Sequence, residues 1–422
     1  MNKMNQLLIF AFIMMMTGCV HKEKADLILL NGQVYTVDSA FSVRQAFAVS
    51  DGIFLAVGTN DEILAAYESD LVVDANGRAV YPGLIDGHCH FLGYASSQYN
   101  GINLKGTKSF EEILALLKKF HEQNPEKWVV GFGWDQNDWA VQEFPENTML
   151  DQTFKETPVV LVRIDGHAVL ANSKALKHVN INEKTKINGG KILLKEGKPT
   201  GILLDNAADV LRAAIPGPDA NARKKALIEA QHECFSLGLT SLSDAGVDYA
   251  EVMMIDSLQS AGKLKLKINA MLSPTQGNLN EFVNKGPFQK ERLTVNSIKL
   301  YADGALGSRG ALLFEPYSDD PGNFGLRMSD PDYYRQMINL AYEHGFQVNT
   351  HCIGDSANRM MLHLYGEALK GKMTNAGELN MPRSSIRMIS NYLLSIILFL
   401  RCRQRIVPQI CTGQGSGLAR SE

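Results

Sequence analysis

The sequence predicts an α/β fold built on a parallel (β/α)8 barrel, and three observations lead there. From Pro82 onward, apolar strand-like runs alternate with amphipathic helical stretches, the pattern of a parallel sheet with crossover helices. The 422-residue length suits such a barrel together with a smaller companion. Residues 25–80 read instead as short strands and turns split by Asn-Gly and Asp-Gly breakers.

Residues 1–19 stand apart from the fold. Lys3 supplies a weakly positive start, Leu7 to Met16 an apolar run, and Met16-Thr17-Gly18 small residues before Cys19. That pattern resembles a bacterial lipoprotein signal, with Cys19 the lipidated first residue of an exported chain anchored on the periplasmic or cell-surface side. The apolar run is short for a membrane span. In 25–80, LILLNG, QVYTV, AFAVSDG, IFLAVG and LVVDANG supply the strands, and their glycine dipeptides are a hairpin signature. A helix is predicted over 109–123, where Ser109 caps and Glu112 falls at capping-box spacing. WVVGFGW (128–134) and PVVLVR (158–163) read as buried strands. Helices follow at 219–237, 248–261, 331–345 and 355–370, separated by strands at 239–244, 265–273, 295–302 and 346–351.

Composition narrows the function. Hydrophobic residues make up 45% and charged residues 21%, as in an ordinary globular protein with a sizeable core. A net charge of −3 without basic–aromatic patches argues against a nucleic-acid partner. Beyond Cys19, the cysteines at 89, 234, 352, 402 and 411 show neither metal-type nor paired spacing. Cys89 and Cys352 each adjoin a candidate histidine and point the other way on a strand, as small core hydrophobes.

The chemistry concentrates in YPGLIDGHCHF (81–91). His88 and His90 close an apolar run entered through Pro82-Gly83, and residues two apart on a strand face one way. Two converging imidazoles are half of a divalent-metal site; the plainer reading is a pair of polar loop residues. Lys299, in SIKLYADGALGSRGA, lies on an apolar strand before a glycine-rich loop. A buried lysine must be neutralised or paired. Carboxylation to a metal-bridging carbamate is one solution and an ion pair with Asp303 the other. His351 ends FQVNTHCIGD, where a lone strand-end histidine serves structure as readily as ligation. These four candidate ligands stand at strand ends, where parallel barrels gather their active sites. Asp165 and His167 in VRIDGHAVLANS, and Trp134 beside Asp135 in GFGWDQNDW, fit either a pocket lining or a core-and-turn role.

Together with KPTGILLDNA, IKLYADGALGSRGA and VNTHCIGDSANR, these segments stand in one order, and the chain over residues 25–381 resembles the amidohydrolase superfamily. It is most similar to the third amidohydrolase family, which includes N-substituted formamide deformylases. The resemblance implies a metal-dependent hydrolase barrel over 81–381 beside a small N-terminal β-sandwich over 25–80. It implies hydrolysis of a non-peptide C–N bond, in a small N-acyl or N-formyl amide, by a metal-activated water. One or two divalent ions are implied, zinc first among them. By the same resemblance His88 and His90 are first-strand ligands, Lys299 is the carboxylated bridge and His351 the fifth-strand ligand. Trp134, Asp165, His167, Asp303 and Arg309 take pocket or supporting roles. A metal-dependent phosphoesterase also uses a His-x-His strand, but the Lys299 segment and the β-rich opening argue against it. The non-enzyme reading is a degenerate surface lipoprotein that keeps the scaffold without catalysis.

The family pattern also calls for a sixth-strand histidine and an eighth-strand aspartate, the usual general base, and neither follows. Residues 383–422 hold six arginines and a single acidic residue, Glu422, after 36 basic and 44 acidic residues in 1–382. The apolar run YLLSIILFL (392–400) is too short to span a bilayer. Codons exist for Cys411–Ser421 whose neighbouring frame reads MYWAGERLGSE, a family-like string. Residues 382–422 are therefore expected to be out of frame, leaving an incomplete barrel. Open edges and an uncovered interior follow, and with them an expectation of poor folding and no activity.

Overall fold

A computed structural model of the protein describes residues 21–125, 128–217 and 219–370. Cys19 with the segment before it, and the tail with Cys402 and Cys411, lie outside the described residues. Among the described residues no helix is long and apolar enough to cross a membrane. The chain divides into two compact units between Leu84 and Ile85.

In the smaller unit, β1 (Glu23–Lys24) pairs with β7 (Tyr67–Glu68). A four-stranded sheet joins β2 (Leu27–Leu30), β5 (Ala46–Ser50), β6 (Ile53–Gly58) and β8 (Val72–Asp74) in the order β6-β5-β2-β8. A three-stranded sheet joins β3 (Gln33–Tyr35), β4 (Val43–Arg44) and β9 (Ala79–Val80) in the order β4-β3-β9. Only one of the three hairpin signals makes a hairpin. Asp51 (φ 51°) and Gly52 (φ 74°) supply the two positive φ angles of a type I′ turn, and β5 and β6 pair antiparallel across them. At Asn31-Gly32 and Asn76-Gly77 the chain steps from one sheet to the other, because β2 pairs in parallel with β8 and β3 with β9. The dipeptide sets the bend; the partner is set by which sheet buries the next strand. Helix α1 (Asn60–Ala66), with a Thr59–Glu62 capping box, drops Ile63 onto a small core of Ala25, Ile28, Ala46 and Ala48.

In the larger unit, β10 (Leu84–Cys89) runs into helix α2 (Phe91–Asn100). The chain then builds a separate mixed sheet before returning. It contains β11 (Ile102–Asn103), β12 (Val129–Trp134), β13 (Val159–Arg163), β14 (Ala168–Ala171), β15 (Gly190–Lys195) and β16 (Lys198–Asp205), in the order β11-β12-β13-β14-β16-β15. Helices α3 (Phe110–Gln123) and α4 (Asn206–Ala214) belong with it. Residues 128–134 and 158–163 are thus strands, as their apolarity indicates, but they lie outside the barrel-type sheet. The reason is local. After β13 a tight turn through Gly166 (φ 72°) reverses the chain into antiparallel β14, where a parallel sheet needs a crossover helix.

The barrel-type sheet resumes with β17 (Leu239–Val247), β18 (Lys267–Leu272), β19 (Phe288–Gln289), β20 (Leu293–Tyr301) and β21 (Gln347–His351). Its path is β10-β17-β18-β20, with β21 parallel on β20 and β19 antiparallel to β20. Helices α5 (Ala220–Ser236), α6 (Tyr249–Ser260), α7 (Pro331–Glu343) and α8 (Asp355–Leu369) lie within two residues of their predicted bounds. Their apolar stripes, including Leu227, Ile255, Met337 and Met361, close over Leu272, Ile298 and Leu300 of the strands. Cys89, Cys234 and Cys352 pack against this core. The result is a partial, curled parallel sheet, an incomplete barrel among the described residues. β10 is an edge of it, with Leu84 and Ile85 exposed.

Leu272 sits fully buried on β18, in register with Val247 and Ile298 of its two neighbours. Leu272→Ala is expected to cost about 2–5 kcal/mol, read as a lower urea midpoint at unchanged m-value.

Candidate active site

The histidine pair forms where β10 hands over to α2. His88 is a β10 residue and His90 the cap residue before Phe91. Asp244, on neighbouring β17, accepts from the N–H groups of Phe91 and Leu92, both at 3.0 Å. A carboxylate there meets the unsatisfied N–H groups of the helix start and pins α2 to the sheet. His90 Nδ1 lies 3.0 Å from the Ala245 carbonyl, and the His88 and His90 rings stand 5.7 Å apart between centroids. The two imidazoles thus lie near one another at the strand end.

Lys299, on β20, is 1% exposed, and its Nζ is 3.0 Å from His88 Nε2. The ammonium also lies 5.1 Å from the Tyr301 ring centroid. Asp303, the alternative ion-pair partner, is turned away. Its carboxylate accepts from the N–H groups of Ile353, Gly354 and Leu312 at 2.9, 2.7 and 2.8 Å. It ties the loop after β20 to the loop after β21, and it stands 4.0 Å from His351 Nε2. Burial brings Lys299 down to about 8, and burial pushes His88 and His351 down to about 4 and lowers His90 as well. These are neutral imidazoles beside an amine that is readily deprotonated.

A cleft of about 1080 Å³ opens here, lined by His90, Lys299, Arg163, Asp165, His167 and Asp205 among others. Arg163 is buried and holds Asp135, Asp165 and Gln136 through its three guanidinium nitrogens. His167 Nδ1 is 2.8 Å from Asp205, and its ring lies 4.7 Å from that of His351. His88, His351 and Asp303 adjoin the cleft through Lys299, His167 and His351 without being among its lining residues, and two further sequence candidates fall elsewhere. Trp134 is fully buried, its indole N–H donating to the Leu161 carbonyl, in the core of the mixed sheet. Phe132, two residues earlier, does line the cleft, and the register shifts between Phe132 and Trp134. Arg309 turns to Asp319, at 2.7 Å, and is not among the residues that line the cleft. Sequence reasoning passed over Asp205, Arg163 and Asp244. Arg163 and Asp205 are charged residues that end apolar strands, and Asp244 is a charged residue inside one, which is the signal that could have found them.

Among the described residues no three His, Cys, Asp or Glu side chains close on one point. The donors present nonetheless suit a divalent cation. His88 and His90 offer neutral nitrogen lone pairs, and Lys299 is a buried amine with an imidazole, not a carboxylate, as its near neighbour. Addition of carbon dioxide to that amine, with loss of a proton, would give an anionic carbamate, the oxygen donor that the pair lacks.

Residues 71–391 match the model described as the amidohydrolase family. The match continues past Met381, where the composition changes. The chain is 30% identical over 358 residues to the protein LONG AFTER FAR-RED 3 of Arabidopsis thaliana, covering 81% of this chain and 61% of that one. It is 31% identical over 257 residues to the N-substituted formamide deformylase of Arthrobacter pascens, covering 58% of this chain and 47% of that one. The chain thus spans between about half and three-fifths of the length of these relatives. Among solved structures it is similar to an uncharacterized metal-dependent hydrolase from Pyrococcus horikoshii, with TM-score 0.60, 27% identity, and 81% and 68% of the two chains covered.

The depressed imidazoles have a consequence for stability. His88 and His351, at about 4 against an ordinary 6.5, take up a proton less readily folded than unfolded. Their contribution is present above pH 6.5 and is lost as the pH falls toward 4. Asp244 and Asp303, raised by burial from 3.8 to about 6, act oppositely: their contribution is full below pH 3.8 and is lost as the pH rises through 6. In EDTA, the double variant His88→Gln/His351→Gln is expected to flatten the loss of urea midpoint between pH 6.5 and 4. A profile identical to the parent's would show that these imidazoles do not govern it.

Proposed function

This chain belongs to the amidohydrolase family, and on that footing we propose that its cleft hydrolyses a non-peptide C–N bond in a small N-acyl or N-formyl amide. The observation that carries the reading is the contact between Lys299 and His88: a fully buried amine, lowered to about 8, facing an imidazole at a strand end. Nothing in a purely structural role requires a lysine there. The likeness to a metal-dependent hydrolase supports a divalent ion, and the likeness to a formamide deformylase supports the amide class. We assign His88, His90, carboxylated Lys299 and His351 as the residues that would hold one or two ions, with zinc the first choice. A bound divalent ion supplies Lewis acidity toward the carbonyl and brings the pKa of water toward neutrality. The chain's own residues keep the donors neutral by burial, fix His90 through Ala245, and brace the cleft wall through Arg163 and Asp165. Export with lipid anchoring at Cys19 completes the proposal; Cys19→Ser is expected to move the chain from the membrane to the soluble fraction.

The test is metal content together with a panel of N-acyl and N-formyl amines on zinc-loaded protein. Lys299→Ala and His88→Ala are each expected to lower bound metal and to cut turnover by about a hundredfold or more. Lys174→Ala, at a surface pair with Glu156, serves as the control and leaves both near the parent's values. Full metal content in Lys299→Ala, or a parent protein that retains no metal, would sink the assignment.

A further inference from the structure

The amide reading leaves unassigned the most constrained carboxylate in the cleft. Asp205 ends β16, is 1% exposed, and takes φ 53° and ψ −125°. A residue with a Cβ adopts such a conformation only where its surroundings enforce it. Here they do. The Asp205 N–H donates to the His167 carbonyl at 2.8 Å. Gly304 and Gly310 close so tightly on the carboxylate that a Cβ on either would stand 2.5 Å from one of its oxygens. Oδ1 lies 2.8 Å from His167 Nδ1, while Oδ2 is buried and has no hydrogen-bond partner among the described residues. The carboxylate is committed to a single contact, the His167 imidazole.

His167 is fixed from its other sides as well. Its backbone N–H donates to Asp165 at 3.0 Å, Asp165 is held by Arg163 at 2.6 Å, and the ring packs on His351. A neutral imidazole has one donor nitrogen and one acceptor nitrogen. A carboxylate against Nδ1 places the proton there and leaves Nε2 as the acceptor, the arrangement by which a carboxylate orients a working histidine.

We infer that Asp205 is a positioning residue that locks His167 as the Nδ1–H tautomer, so that Nε2 accepts a hydrogen bond from the N–H of the substrate amide. The inference rests on the proposed amide hydrolysis and narrows it to secondary amides. An N,N-disubstituted amide has no N–H to offer and leaves the Nε2 lone pair unmet in the cleft. Sites built around such a bond reject the analogue lacking it.

The experiment uses zinc-loaded full-length protein, a secondary N-acyl amine and its N-methylated counterpart, and nitrogen-15 histidine labelling. The parent is expected to show a protonated Nδ1 and a bare Nε2 for His167, with the resonances assigned by their loss in His167→Gln. It is expected to prefer the secondary amide by about tenfold or more in kcat/KM. Asp205→Asn shifts the tautomer and collapses the preference toward one. His167→Gln, which leaves the strained Asp205 backbone in place, collapses it likewise, and the double variant is no worse than His167→Gln alone. A carboxylate that merely holds the fold would lower both substrates equally and leave their ratio intact. Absence of turnover on both amides counts against the proposed function. A parent Nε2–H tautomer, or a substrate ratio that survives Asp205→Asn, overturns this inference alone.

Discussion

An ammonium buried without a counter-ion is the constraint around which the larger unit is arranged. Removing the Lys299 head group from water is costly, and the usual remedy is a carboxylate within reach. Asp303 is four residues away in sequence, yet its oxygens are taken by three backbone N–H groups. Asp244, on a nearby strand, is committed to the start of α2. Deprived of both, Lys299 faces His88 and titrates at about 8. The group is left as an ammonium that gives up its proton more readily than an exposed lysine, and the deprotonated amine is the form that can react with carbon dioxide or offer a lone pair to a cation.

The carboxylates kept from Lys299 do a common job. Asp205 ends a strand, Asp303 lies just beyond one and Asp244 lies within one, and all three are almost fully buried. The first two each fix a loop by accepting N–H groups from the segment beyond, and the third fixes a side chain. Burial raises both Asp244 and Asp303 to about 6, a cost offset in part by the bonds they accept. Loops tied in this way hold His90, His351 and His167 on rigid supports, which a cleft with several convergent groups requires.

The parts legible in the sequence are those with a local period. His88 and His90 were readable because strand side chains repeat every two residues, and the four long helices because theirs repeat every 3.6. Three readings were left open or misdirected by the same gap. Trp134 looks like a cleft wall but belongs to the core of a sheet that the alternation of strands did not separate from the barrel. Arg309 follows a strand but turns to Asp319, an ordinary ion pair on the same loop. The Asn-Gly steps near residues 31 and 76 bend the chain without joining the strands they separate. In each case the missing information was a partner.

What the amino-acid sequence determined by itself is the set of elements, their approximate bounds, and the placing of His88, His90, Lys299 and His351 at strand ends. Those features follow from backbone geometry and burial acting over a few residues. Tertiary structure decided which groups meet: Lys299 with His88 across 211 residues, Asp244 with α2 across 153, and His167 with Asp205 across 38. No periodicity encodes such pairings. They depend on strand order and on competition among nearby donors for each carboxylate. That competition diverted Asp303 from the lysine and left Lys299 free for the chemistry proposed for it.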